Sequence, residues 1–351
     1  MNKKIGIVTI LDRNYGNRLQ NYALQKAVKQ LGYKVVTVDT EKKTKFAFIK
    51  NKIKSLLLQM KYNKSQPFWV WEVFDFQYID KVYVSMHDLS EKLSGLYRII
   101  VGSDQVWNPI LYYFKPDYVF LEFAESEQKI AYAASIGITS VPEEWIARFK
   151  MGLTDFRAIS MREEEGANAL KGILKKNIPV VLDPTMLITE KEWSNLSQKS
   201  NIRKKKKYIL KYYLGEKSDC VDAAILKYAN SNACEIVDLT KELKDIGPKE
   251  FLWLIQNCEM MFTDSFHGSV FSILFHKKFW IFERPIQNDT GEMNSRLYTL
   301  ANHFDIKDRL LKSDYTIQQV DFEKEIDYRK IDILLESKRR ESFEYLKAVL
   351  D

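Results

Sequence analysis

The sequence predicts an α/β protein built from two doubly wound, Rossmann-like domains that face each other across a cleft. Three observations carry this expectation. Short apolar runs alternate with helical patterns along most of the chain, as in parallel sheets covered on both faces. The alternation restarts after a polar, lysine-rich stretch at 190–207. At 351 residues the chain exceeds the usual size of a single core.

The elements follow in order. Lys4 to Ile10 is a buried-strand pattern, Asp12 to Arg18 a polar loop, and Leu19 to Leu31 repeats apolar residues at helical spacing. Gly32 ends that helix and Lys34 to Val38 forms the next strand. Further strands are expected at Arg98 to Val101, Lys129 to Ala133 and Pro179 to Leu182, with helices at Pro142 to Phe156 and Glu163 to Leu174. These residues make a first domain over 1–190. Residues 191–207 read as the connection, ending in the solvated run Arg203 to Lys207. The second domain, 208–327, carries expected strands near Tyr208 to Tyr213, Glu235 to Leu239, Glu259 to Thr263 and Lys278 to Phe282. Its helices are expected at Asp219 to Ala229, Pro248 to Asn257, Val270 to His276 and Ser295 to Phe304. A charged helix over 328–351 closes the chain and is expected to pack back on the first domain.

Composition narrows the class. Apolar residues make up 46% and charged residues 29%, with a mean hydropathy of -0.32, so a soluble protein with real cores is expected. The start MNKKIGIVTI enters a strand directly, which reads as neither a signal peptide nor a membrane span. The net charge of +7 favours anionic partners, without calling for nucleic acid. Cys220, Cys234 and Cys258 lack metal-like spacing and fit buried thiols in a reducing cytoplasm. No metal-ligand cluster is visible, and no metal or cofactor is expected. Lys42 to Lys64 carries eight lysines and no acid, with Phe46, Ile49, Ile53, Leu56, Leu57 and Met60 at helical spacing. Such a helix either lies on an anionic membrane or packs on the protein with its lysines in water.

Chemistry is expected at four strand ends. In TDSFHGSVFSILFHKKFWIF, from Thr263 to Phe282, His267 sits where a turn becomes a helix. Helix starts offer unpaired N–H groups to an anion, and an imidazole beside them suits acid/base work on a phosphorylated substrate. The plainer reading is a capped helix with His267 on the surface. Asn14 to Gln20 offers Gly16 for close backbone approach, and Asn17 and Gln20 for sugar hydroxyls, without the spacing of a dinucleotide fingerprint. Val101 to Pro109 brings Ser103 and Asp104 after a buried strand, with Trp107 as a stacking surface. Arg162, before an acid-rich helix, is either a fork for a carboxylate or phosphate or the partner of a nearby glutamate.

Taken in order, NYGNRLQNYALQ, VGSDQVWNP, AYAASIG, ISMREEEG, VVLDPTMLI and TDSFHGSVFSILFHKKF, followed by Ser295-Arg296-Leu297 and Asp308-Arg309, resemble the polysaccharide pyruvyl transferase family. The resemblance implies a fold like the GT-B glycosyltransferases. It also implies transfer of a pyruvyl group from phosphoenolpyruvate to a saccharide, giving a cyclic ketal in surface polysaccharide biosynthesis. It makes His267 the acid/base and Arg162 an anion ligand. Some family members carry an arginine two places before the histidine, where this chain has Ser265. Donor binding is therefore expected from Arg162, Ser265, Gly268, Ser269 and Arg296, with Arg284 a further candidate. Acceptor binding is expected from Asn17, Gln20, Ser103, Asp104 and Trp107. The acceptor would be a saccharide, free, nucleotide-linked or lipid-linked, with the enzyme cytoplasmic or at the inner face of the membrane. A glycosyltransferase using a sugar nucleotide and a non-catalytic glycan-binding protein are the alternatives.

Overall fold

The computed structural model describes residues 3–40, 68–111, 114–200, 202–216, 219–240, 246–284, 293–312, 317 and 320–351. Among these residues, two parallel sheets are flanked by helices. The first has six strands in the order β3-β2-β1-β4-β5-β6. These are Lys4–Val8 (β1), Lys34–Asp39 (β2), Lys81–Tyr83 (β3), Arg98–Val101 (β4), Lys129–Ala134 (β5) and Ala158–Met161 (β6). The second has five in the order β11-β10-β9-β7-β8. They are Tyr208–Tyr212 (β7), Glu235–Asp238 (β8), Met260–Thr263 (β9), Lys278–Phe282 (β10) and Leu310–Leu311 (β11). Ile5 pairs with Val35 on one side and Arg98 on the other, which makes β1 central.

The strands read as near-continuous apolar runs because both faces are buried. Ile5, Ile7, Ile100 and Ile130 face the helix Tyr15–Gln30 and the end of the last helix, meeting Leu24, Val28, Leu346 and Leu350. Val8, Ile99, Val101 and Ala131 face the other way, toward Trp107, Phe120 and Phe149. In the second sheet Ile209, Phe262 and Trp280 meet Ile225 and Ala229 on one face. On its other face Leu210, Met261 and Ile281 meet Phe251 and Phe271 in a core that extends into the first domain through Tyr15, Leu19, Trp71 and Phe74. Tyr15 stacks on Phe251 at 4.3 Å and 8°, and its hydroxyl donates to the Ile246 carbonyl at 3.2 Å. An aromatic pair of this kind contributes about 0.5–1.5 kcal/mol beyond its buried area. The two domains are thus closed against each other on this side.

Several elements differ from the sequence expectation. Residues 191–207 are not a bare connection: Glu190–Ser197 is a helix with a Thr189–Glu192 capping box. Trp193 and Leu196, three apart in a polar segment, turn inward, and the Trp193 ring meets Phe271 edge-on at 5.0 Å. The expected strand Pro179 to Leu182 reduces to a single bridge between Val180 and Met161. The helix Phe68–Tyr78, unforeseen, is apolar on more than one face and so lacks a clean period. The final helix, Tyr328–Leu350, serves both domains, with Ile331 and Leu335 in the shared core and Leu346 and Leu350 under the first sheet. The lysine-rich segment 42–64 lies outside the described residues. No helix among the described residues is long and apolar enough to cross a membrane.

Candidate active site at the domain interface

Ligands of open α/β sheets bind beyond the carboxyl ends of the strands, where strand order reverses. That reversal lies between β1 and β4 in the first sheet and between β7 and β9 in the second. The segments after β1, β4 and β9 supply Gly16, Asp104 and His267.

His267 is the second residue of the helix Phe266–Leu274, which begins four residues earlier than its apolar pattern suggests. The reason is the cap: Ser265 Oγ accepts from Gly268 N at 3.2 Å. Ser269 Oγ donates back to the Ser265 carbonyl at 3.0 Å. Gly268 is needed for packing, since a Cβ there would lie 2.7 Å from Thr263 Oγ1. Ser265, Gly268 and Ser269 are therefore occupied in building the turn and do not present the anion ligands expected of them. Among the described residues, the N–H groups left at this helix start are those of Phe266 and His267.

The imidazole rests on the first turn of the helix Tyr15–Gln30, in the other domain. A Cβ on Gly16 would fall 1.9 Å from His267 Nδ1, so only glycine admits the ring. Gly16→Ala should destabilise the protein by about 1–3 kcal/mol, the usual scale of overpacking. In a His267→Ala background that cost should largely vanish in urea titrations, because the two sites are in contact. Equal costs in both backgrounds would show that the ring and the glycine are energetically independent.

His267 Nε2 lies 3.7 Å from Asp183 Oδ2. The same oxygen accepts from Arg162 Nη1 at 2.9 Å and lies 2.9 Å from Ser103 Oγ. Asp183 Oδ1 accepts from Thr185 N at 2.9 Å and Thr185 Oγ1 at 2.6 Å. Arg162 Nη2 donates to Asp104 Oδ1 at 3.1 Å, and its guanidinium lies 4.5 Å from the Phe266 ring centre. Burial opposes the charge of Asp183, but His267, Arg162 and Thr185 outweigh it and hold the carboxyl well below its usual range. Burial likewise opposes Asp104, which Arg162, His267 and Arg296 nevertheless hold low.

Arg162 and His267 thus converge on one carboxylate from different domains. Both terminal nitrogens of Arg162 are taken by aspartates, so it is neither an open anion fork nor the partner of a glutamate. Glu163 turns away and accepts from Ile136 N at 2.9 Å and Gly137 N at 3.2 Å. Arg296, second residue of the helix Ser295–His303, reaches the same cluster, with Nη1 3.9 Å from Asp104 Oδ1. With the Gln105 amide oxygen turned toward it, that oxygen accepts from Arg296 at 3.0 and 3.1 Å. Burial and repulsion from Arg162 and Arg284, offset in part by Asp104, push Arg296 down to about 10. Arg284 Nη2 donates to the Asp264 carbonyl at 3.2 Å. Its Nε also lies 3.6 Å from Asp264 Oδ2, so the three arginines stand among the carboxylates of Asp104, Asp183 and Asp264.

The acceptor candidates separate. Asn17 sits beside Gly16 on the turn that meets His267. Gln20 and Ser103 are structural: Gln20 Oε1 accepts from Ser103 N at 3.1 Å, and Gln20 Nε2 donates to Thr9 Oγ1 at 2.8 Å. Asp104 is committed to Arg162 and Gln105. Trp107 is not a sugar platform. It is 0% exposed, donates from Nε1 to the Val119 carbonyl at 3.0 Å, and packs against Phe120 and Phe156. Sequence reasoning overlooked Asp183, at the centre of the cluster. Its signal is an aspartate closing the apolar run Val180-Val181-Leu182 ahead of Pro184.

The family model for polysaccharide pyruvyl transferases matches residues 14–284, a span that holds Gly16, Asp104, Arg162, Asp183, His267 and Arg284. The chain belongs to the polysaccharide pyruvyl transferase family. Comparison with curated protein sequences returns no match. Among solved structures, a Listeria monocytogenes protein assigned as a UDP-N-acetylglucosamine 2-epimerase is similar at 10% identity and a TM-score of 0.50, covering 96% of this chain and 91% of its own. The UDP-GlcNAc 2-epimerase of Methanocaldococcus jannaschii, in complex with UDP-GlcNAc and UDP, aligns at 14% identity and a TM-score of 0.49 over 100% of this chain and 99% of its own. The Listeria likeness shows a shared GT-B fold and nothing finer. Within this pyruvyl transferase family member, Arg296 lies beyond the matched span, so the cluster is completed from outside it.

Proposed function

We propose that this protein transfers the pyruvyl group of phosphoenolpyruvate to a saccharide diol, forming a cyclic ketal in surface polysaccharide biosynthesis. The observation that carries the reading is the meeting of His267, from one domain, with the buried cations Arg162 and Arg296 at the interface. Phosphoenolpyruvate brings about three negative charges, counting its phosphate and carboxylate. Arg296 and Arg284, with the N–H groups of Phe266 and His267, would receive it, taking the place of the arginine replaced by Ser265.

The chemistry requires a proton at the methylene carbon, which leaves the central carbon cationic. A sugar hydroxyl attacks there, phosphate leaves, and a second hydroxyl closes the ring. His267 would give and take the proton. The cations around Arg296 stabilise the departing phosphate. Asn17, beside His267 on the first domain, would contact the acceptor. The acceptor is a saccharide, free, nucleotide-linked or lipid-linked, and the reaction belongs to the cytoplasm or the inner face of the membrane.

Incubation with phosphoenolpyruvate and a panel of saccharides tests the assignment. Phosphate release together with a ketal mass gain on one acceptor is expected. Release of a nucleotide from sugar-nucleotide donors, with phosphoenolpyruvate inert, would instead establish a glycosyltransferase. Arg296→Gln should raise the KM for phosphoenolpyruvate by about 10–100-fold, since a hydrogen bond to a charged group is worth about 1.5–3 kcal/mol. An unchanged KM would remove Arg296 from the donor site.

A further inference from the structure

His267 has two ring nitrogens in different surroundings. Nε2 is enclosed, has no hydrogen-bond partner among the described residues, and points at Asp183 Oδ2 at 3.7 Å. Nδ1 lies against Gly16, where only a residue without a side chain leaves it room. Asp183 is 1% exposed and fixed on every side. Thr185 holds one oxygen, and Ser103 and Arg162 hold the other. Its position therefore does not depend on His267, which arrives from the other domain. A slight tightening of the interface would turn 3.7 Å into a charge-assisted hydrogen bond.

The geometry points to Asp183 as a positioning residue that keeps a proton on His267 Nε2, so that Nδ1 is the nitrogen exchanging protons with the reactants. An anchored carboxylate on one nitrogen sets the tautomer and thereby assigns the work to the other. The low proton affinity of Asp183, held down despite burial by His267, Arg162 and Thr185, keeps it an acceptor throughout. The inference rests on the pyruvyl-transfer reading, in which the protons balance as follows. The imidazolium gives its Nδ1 proton to the methylene carbon, and the first attacking hydroxyl returns one to Nδ1. The bond from carbon to the phosphate oxygen breaks, the second hydroxyl forms the second ketal bond, and its proton leaves with phosphate. Nε2–H is never released.

The experiment is nitrogen NMR on the full chain labelled with 15N-histidine, with the His267 signals identified by their loss in His267→Gln. In neutral His267 the proton is expected on Nε2, and Asp183→Asn should move a substantial fraction of it to Nδ1. The same substitution should lower kcat by about 100-fold or more while the KM for phosphoenolpyruvate changes only a few-fold, the pattern of a misplaced acid/base group. A wild-type signal showing the proton on Nδ1 overturns the proposal, whether or not the variant folds. So does an unchanged kcat in a folded Asp183→Asn protein. Because the wild-type spectrum needs no substrate, an inactive donor would refute pyruvyl transfer while leaving the tautomer result to stand by itself.

Discussion

His267→Ala should lower turnover with phosphoenolpyruvate by about 100-fold or more, the usual scale for loss of an acid/base group. The ring lies across the interface against Gly16 and faces the anchored carboxylate of Asp183. No other histidine can substitute for it in place. His87 is exposed in the turn Met86–Asp88, His276 pairs with Asp332 at 2.9 Å, and His303 lies 3.7 Å from Glu164, on the far end of its helix from Arg296. Removing the imidazole leaves space, not strain, so the variant should fold. The measurement is single-turnover phosphate release, where chemistry limits the rate. Near wild-type rates there would remove His267 from the chemistry.

Arg162→Met should cost about 3–5 kcal/mol of stability, because it leaves buried carboxylates without their principal partner. Asp183 and Asp104 each lose a hydrogen bond, of 2.9 and 3.1 Å. The loss should depend on pH, and its sign follows from linkage. In the wild type both carboxyls are held below their usual value. They therefore add stability above the unfolded value of about 3.9, and this is lost only as pH falls below it through the folded values. In the variant burial acts with less opposition and raises them, so protonation on acidification relieves the cost. The gap between the two proteins in urea titrations should be largest near neutrality and narrow toward about pH 4. A gap below about 1 kcal/mol at neutral pH would mean that the arginine contributes no more than a surface ion pair does.

How much was legible depends on whether a feature is local. The helix Tyr328–Leu350 and the strands Arg98–Val101 and Lys278–Phe282 fall where the sequence pattern places them, because a helical period and an unbroken apolar run of strand length are both local signals. The helix Glu190–Ser197 was hidden because Trp193 and Leu196 are its two inward apolar side chains in a polar stretch. Trp107 was misread because an indole suits a sugar and a core equally well; only its Val119 hydrogen bond and Phe neighbours decide. Arg162 was read as an open fork or a glutamate's partner, because the aspartates that occupy it lie 58 and 21 residues away, beyond any local pattern.

The sequence by itself determined the two-sheet fold, the family and the place of His267 at a helix start. Those depend on short-range patterns: apolar runs of strand length, capping residues and motif order. Only the tertiary structure decided what His267 faces. Its partners Gly16 and Asp183 come from the other domain and are brought to it by packing such as Tyr15 on Phe251. A carboxylate's charge and a glycine's missing side chain acquire meaning only from what they touch, and here the contacts are made across more than eighty residues of chain.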